Sequence, residues 1–442
     1  MLLSFSVENF RSFKAEQTLS LMASKRLGPA DSPHCWPVPG TSEHAIRVLS
    51  LYGPNGAGKS NLVRAIGLVK QMVLSGTSPG ETLPYSPFLL DPDVSKAPAW
   101  FDLQFAEEGD VFRYSVGFDS LHIAEERLDV YEGTKERNLF TRLEGQGAGG
   151  PSVGVYLGPA AEGENGTPKI KALAEVGARR NQLFLTEVAN LDDGMAQGPR
   201  LRRAISWFNS TLAVVEAGGD VAPAAAGVWR GGRFTEFAAT FLREASTGIA
   251  GLRARTEEVP EATVISSWGP GMDILERTGS GLYRIRRVLA QHELAGGGQV
   301  EFPLAEESDG SRRLWSLLPA LYRLSTGGGV FVIDEFERSM HPMLAKKFVE
   351  FFLKAGHGAA GQLIFTTHAS TLLDLELMRR DGIWFADKDR GGATQLYSLA
   401  DFKVRSDLRI EKGYLDGRFD AVPFLGGIDS LIEEQAAAEA GA

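Results

Sequence analysis

The spacing of apolar residues divides this chain into a few recurring patterns. Ile46 to Tyr52, Val330 to Ile333 and Gly361 to Phe365 are nearly continuous apolar runs of strand length, the pattern of strands buried on both faces of a parallel sheet. Other stretches alternate: Leu2 to Phe13, then Phe101, Leu103 and Phe105, then Phe112, Tyr114, Val116 and Phe118 beyond the turn Glu108-Gly109-Asp110. With Ile123 to Tyr131 these predict an antiparallel meander, and Leu282 to Leu289 predicts a later strand. A helical period appears at Leu62, Ile66, Val69 and Val73, at Leu201, Ile205, Phe208 and Leu212, at Phe234, Phe237 and Phe241, and at Leu314, Leu317, Leu318 and Leu321. Ile170 to Val188 is helical in composition. Gly76 to Pro98, with five prolines, is expected to be irregular, and Gly145 to Pro168 is expected to be a linker.

These patterns predict an α/β chain in four parts: a first part at 1–158, a helical insertion at 159–247, a return to the first fold at 248–430 and a tail at 431–442. Composition adds little to the fold but narrows the setting. With 442 residues, 43% hydrophobic, there is enough chain for a large core. The net charge of −10 means that a nucleic-acid contact would need a local basic patch. Arg179, Arg180, Arg200, Arg202 and Arg203 could form one, or could lie on a solvated helix face. Cys35 is the only cysteine, which excludes an internal disulfide and a cysteine-rich zinc site. No apolar run approaches the ~20 residues of a membrane span, and a cytoplasmic protein is expected.

The chemistry concentrates where the apolar strands end. After Ile46 to Tyr52 comes Gly53-Pro54-Asn55-Gly56-Ala57-Gly58-Lys59-Ser60, which fits G-x-x-x-x-G-K-[ST] without a mismatch, followed by Asn61 on the helix. Between a strand and a helix such a loop turns its N–H groups onto a triphosphate; Lys59 would reach the β- and γ-phosphates and the Ser60 hydroxyl a Mg²⁺ ion. Val330 to Ile333 ends in Asp334-Glu335, a carboxylate for Mg²⁺ and one that can accept a proton from attacking water. Gly361 to Phe365 ends in Thr366-Thr367-His368, where the histidine either senses a γ-phosphate or is a satisfied polar residue. Arg11, at the end of the first strand, can reach a phosphate or face solvent. Glu307 to Arg313 reads as a helix cap, with Ser308 or Asp309 accepting backbone N–H groups.

Taken in order, the phosphate loop, the small-residue turn, the strand-end Asp-Glu and the strand-end His resemble the ABC-type ATPase heads of the RecF, SMC and OLD-like proteins. The match is closer to the RloA-like, AAA-family ATPases of bacterial phage-defence and abortive-infection operons. Those carry E-S-x-G-T-x-R, I-D-E-x-E-x-S-x-H-P and T-T-H-x-x-x-L-L-D, found here at Glu307 to Arg313, Ile333 to Pro342 and Thr366 to Asp374. Arg379 to Phe385 and Glu411 to Phe419 also look like that group. Ser308-Asp309-Gly310-Ser311 keeps only the serine and one glycine of the transporter signature L-S-G-G-Q.

This resemblance implies a P-loop ATPase head with a flanking antiparallel sheet and a projecting helical arm, since about 270 residues separate Lys59 from Asp334. It implies ATP and Mg²⁺ sandwiched between two subunits, with Ser308 and Gly310 of one facing the γ-phosphate held by Lys59 of the other. It makes Glu335 the general base, His368 the switch residue and Arg11 a phosphate-side arginine. No counterpart of a Gln loop stands out; Gln104 lies on a strand. The implied role is an antiviral switch acting on a partner effector such as a nuclease of the RloB-like kind, with DNA or a phage component as further ligands. The alternative is a RecF-like DNA-binding repair ATPase.

Overall fold

The computed structural model describes residues 1–27, 33–147, 150–161, 167–191, 198–218, 232–260, 274–278, 282–355, 360–403 and 410–419; the expected tail at 431–442 lies outside them. β1 (Leu2–Glu8) and β2 (Gln17–Ser20) open the chain as an antiparallel pair. β3 (Cys35–Pro37) pairs with β4 (His44–Ile46), and β5 (Val48–Tyr52) runs into the phosphate loop and α1 (Lys59–Ser75). The single strand expected from Ile46 is therefore two, broken at Arg47. That side chain is fully buried between the rings of Trp36 and Phe352, 5.0 and 4.7 Å away, and donates to the carbonyls of Pro33, Phe352 and Leu353.

β6 (Ala99–Glu107), β7 (Asp110–Phe118), β8 (Ile123–Glu132), β9 (Lys135–Gly147) and β10 (Gly150–Leu157) extend the meander. With the first two strands they form a seven-stranded antiparallel sheet in the order β10-β9-β8-β7-β6-β1-β2. The linker expected from Gly145 is thus largely the last hairpin of this sheet. Gly145, Gly147, Gly150 and Gly154 disguise it as a loop, while Val155 and Leu157 pack against the core.

The insertion is helical, in α2 (Thr167–Val176), α3 (Phe184–Ala189), α4 (Pro199–Ser206) and α5 (Arg233–Glu244), and among the described residues these helices pack into the cores of the nucleus rather than standing apart as an arm. The helix expected through Leu212 stops at Ser206; a wide π-type turn (Trp207–Thr211) then turns two large aromatics inward, and β11 (Leu212–Val215) joins the central sheet beside the strand of Asp334. Phe184, Leu185, Trp207 and Phe208 are fully buried in the core shared with the antiparallel sheet, and Ala238 and Leu242 in the core on the opposite side. Among the described residues Arg179 pairs with Glu187, Arg180 with Glu144, Arg200 with Glu132 and Arg203 with Asp110.

β12 (Gly251–Pro260), β13 (Ile274–Arg277), β14 (Leu282–Glu293) and β15 (Gln299–Pro303) make a small antiparallel sheet around β14. The remaining elements complete the nucleus: α6 (Asp309–Thr326), β16 (Gly329–Ile333), α7 (Pro342–Ala355), β17 (Gly361–Thr366), the hairpin β18 (Ile383–Lys388) and β19 (Thr394–Ser398), and α8 (Ile410–Leu415). The central sheet has the order β11-β16-β17-β5-β18-β19, and all neighbours are parallel except the last pair. Its strands are apolar on both faces because both are covered. Leu49, Leu51, Val330 and Val332 meet α1 and the antiparallel sheet, whereas Val48, Tyr52, Phe331 and Ile333 meet α5, α6 and α7. The fold is α/β, with α1 packed between a mainly parallel core sheet and an antiparallel one. No helix among the described residues is long and apolar enough to cross a membrane.

Candidate nucleotide-binding site

Three adjacent parallel strands, β5, β17 and β16, end on the same side of the sheet, where crevices at strand ends receive ligands. β5 delivers Gly53 to Ser60, β16 delivers Asp334 and Glu335, and β17, lying between them, delivers Thr366 to His368. They enclose a cavity of about 230 Å³ lined by residues 55–61 together with Arg64, Asp334, Glu335, Thr366 and His368. That volume is below the range of whole small-molecule pockets and suits a polyphosphate better than an entire nucleotide.

Two glycines of the loop are required by close approach. At Gly58, φ is 103°, and a Cβ would lie 2.1 Å from the Thr394 hydroxyl oxygen and 2.7 Å from that of Ser12. At Gly53 a Cβ would lie 2.2 Å from the carbonyl oxygen of Ala386 on β18. The hydroxyls that crowd Gly58 also support the loop. Thr394 Oγ1 donates to the Ala57 carbonyl at 2.8 Å and lies 2.7 Å from Ser12 Oγ, which accepts from Asn61 Nδ2 at 2.8 Å. Gly58 brings no capping side chain, so the first N–H groups of α1 remain for a ligand.

Lys59 is nearly buried, and its ammonium donates to the carbonyls of its own loop, Gly53 at 2.8 Å and Pro54 at 3.0 Å. Burial pulls its pKa down to about 8 against the opposing charges of Asp334, Glu337 and Glu335. His368 is held below the usual histidine range by burial first and by the Lys59 charge second. Asp334 is 2% exposed; its Oδ1 accepts from Thr366 Oγ1 at 2.5 Å, and the same hydroxyl accepts the Glu335 N–H at 2.8 Å. Glu335 sits at φ 47°, a left-handed conformation unusual for a side-chain-bearing residue, and its Oε2 is 3.4 Å from Arg338 Nη1. Arg313 Nη2 reaches the carbonyls of Asp334 and Glu335, both at 3.3 Å, and so ties the first turn of α6 to the acidic turn.

Gly53 and Pro54 thus contribute carbonyls, and Asn55, Gly56, Ala57, Gly58, Lys59, Ser60, Asn61, Asp334, Glu335 and His368 converge on one cavity. Arg11, Ser308 and Gly310 do not line it, and neither does Gln104. Arg11 is held at φ 53° with its guanidinium 5.6 Å from the Phe10 ring, and it lines a neighbouring groove of about 610 Å³ that shares Arg64. Ser308 caps α6, its Oγ accepting the Ser311 N–H at 3.2 Å, and a Cβ on Gly310 would stand 2.9 Å from the Ser339 carbonyl. Sequence reasoning gave no role to Ser12, Thr394, Thr366 or Arg313. Only Thr366 and Arg313 carried a signal, as members of motif runs that stand out in the sequence.

A strand, a glycine-rich loop closing on its own lysine, and a second strand ending in a buried aspartate one place beyond an intervening strand define a P-loop nucleotide-binding protein. The chain belongs to the family described as "AAA domain, putative AbiEii toxin, Type IV TA system", whose model matches residues 48–374. No curated protein matches it. Solved structures that align with it include an SMC head domain from Thermotoga maritima, at 14% identity over 90% of this chain and 98% of that one, with a TM-score of 0.39. An SMC head bound to the C-terminal winged-helix domain of ScpA aligns at 12% identity over 90% and 97%, TM-score 0.37. An SMC head with an extended coiled coil, bound to the C-terminal domain of ScpA derived from Pyrococcus furiosus, aligns at 13% identity over 93% and 97%, TM-score 0.38.

Proposed function

We propose that this protein binds ATP with Mg²⁺ and hydrolyses it to ADP and phosphate. The observation that carries this reading is the placement of Lys59. Its ammonium, satisfied by two carbonyls of its own loop, borders the same cavity as Asp334, Glu335 and His368. The residues fit the group: Ser60 and Asp334 would hold Mg²⁺, which on binding neutralises phosphate charge. Lys59 and the first N–H groups of α1 take the β- and γ-phosphates. Glu335 accepts a proton as water attacks the γ-phosphorus and the bond to the β-phosphate breaks. His368, neutral at pH 7, offers a hydrogen bond without adding positive charge to the Lys59 side.

Lys59→Ala should abolish binding of a fluorescent ATP analogue. Glu335→Gln should bind it normally while hydrolysis slows by about 10²-fold or more. Normal affinity in the first variant, or wild-type turnover in the second, would remove the assignment.

The fuller reading is a cytoplasmic switch whose ATP is shared between two copies, Ser308 and Gly310 of one facing the phosphates of the other, and which controls an effector such as a nuclease of the RloB-like kind during phage defence. Its support is the run of motifs from Glu307 to Asp374 together with a family described by a putative toxin of a toxin–antitoxin system. A RecF-like action on DNA gains less, because most of the arginines that would form its basic patch are engaged by carboxylates.

A further inference from the structure

The turn after β16 carries a third acid, half-buried, that does not line the cavity. Along this turn Glu335 faces the cavity and Phe336 is fully buried against Phe365 and Phe348, at 4.8 and 5.2 Å. Glu337 lies toward the neighbouring strand, where its Oε1 accepts the backbone N–H of His368 at 2.6 Å. Its Oε2 is buried and has no hydrogen-bond partner among the described residues. Burying one oxygen of a carboxylate without a partner is unfavourable, which calls for a compensating use of the other oxygen.

Holding the two strands together is not that use. Thr366 already joins them, through Asp334 Oδ1, the Glu335 N–H and a 3.0 Å bond from the Phe336 N–H to its carbonyl. Thr367 is fixed separately, its N–H bonded to the Leu51 carbonyl at 3.1 Å. His368 is the residue at which the chain leaves the sheet, and Glu337 takes its N–H.

We propose that Glu337 is a positioning residue that fixes the main chain of His368 relative to Glu335, so that both side chains face the reacting phosphate together. The inference rests on the ATP-hydrolysis reading. Glu337 does not line the cavity; it acts through His368. Because Glu335 and Glu337 share one turn, the carboxylate that meets water and the carboxylate that holds the histidine move as a unit.

The test uses the full-length protein and three variants. In Glu337→Gln the amide oxygen still accepts the N–H, so hydrogen exchange of the peptide carrying His368 stays slow and kcat stays within about threefold. In Glu337→Ala the acceptor is gone: exchange quickens and kcat falls by about 10-fold to 10²-fold, the scale of a misplaced catalytic group, while KM for ATP is nearly unchanged. Glu337→Asp, which keeps the charge but is one methylene too short, should behave like the alanine variant and stands in for it if that variant unfolds. Unchanged kcat in both Glu337→Ala and Glu337→Asp, or a glutamine variant as slow as the alanine one with its amide still protected, overturns the proposal. If the wild-type protein binds ATP but does not turn it over, the hydrolysis reading fails by itself. The exchange rates then decide the tether, and equal rates in wild type and Glu337→Ala reject it.

Discussion

Lys59 is a cation placed where its charge is easily lost. Three carboxylates favour its protonated form, yet burial outweighs them and brings the pKa to about 8, far under the ordinary lysine value. The consequence for binding has a definite sign. Above pH 8 the free protein holds Lys59 increasingly neutral, while phosphates packed against it favour the ammonium, so binding must draw a proton from solution. ATP affinity should therefore fall as pH rises beyond 8. Calorimetric titrations at pH 9 in two buffers of different ionisation heat should show uptake approaching one proton, and at pH 7 Lys59 should contribute almost none. Equal heats in the two buffers at pH 9 would mean that Lys59 is not the group that meets the phosphates. His368 shifts in the same direction, so protonating it requires a pH below its usual range, on the acid side of the same profile.

Between residues and molecule, the segment at 170–242 shows how an element's period can be legible while its place is not. The apolar faces of α4 and α5 follow from spacing, but a face states only that something covers it. Here the cover is the nucleus itself. β11 forms the edge of the central sheet, and Trp207 stacks on Phe105 at 4.2 Å with none of its surface exposed. Deleting 170–242 and bridging the gap should therefore yield insoluble protein, not a working head, and Trp207→Ala alone should lower stability by about 3–5 kcal/mol in urea denaturation. A soluble, nucleotide-binding deletion variant would restore the projecting arm. The strand-end chemistry was legible for a different reason: a doubly covered parallel strand is a short apolar run, and the polar residues at its end stand out against it. The hairpin at β9 and β10 was not, because its glycines read as loop. Nor were Ser12 and Thr394, two small hydroxyl residues brought together only by the fold.

At the scale of the whole molecule, Gly310 lies by Ser339, Ser308 caps α6, and neither lines the cavity of its own chain. If they serve a second copy, Glu335→Gln should shift toward a dimer in light scattering when Mg-ATP is added, and Ser308→Arg in that background should undo the shift. Ser308→Ala, which removes the hydroxyl without adding bulk or charge, should weaken the shift less than Ser308→Arg does, besides costing about 1 kcal/mol of helix stability through the lost cap. Failure of ATP to change the mass of Glu335→Gln would leave a self-contained enzyme. The buttress beneath the phosphate loop has a consequence of another kind. Gly58 rests on Thr394 as well as on Ser12, and the backbone of Leu2 is bonded to the side chain of Gln362 in both directions. During translation the loop at 53–60 leaves the ribosome long before the residue that supports it, Thr394. Chains released before residue 394 should accordingly be inert toward ATP, although they already contain the whole phosphate loop.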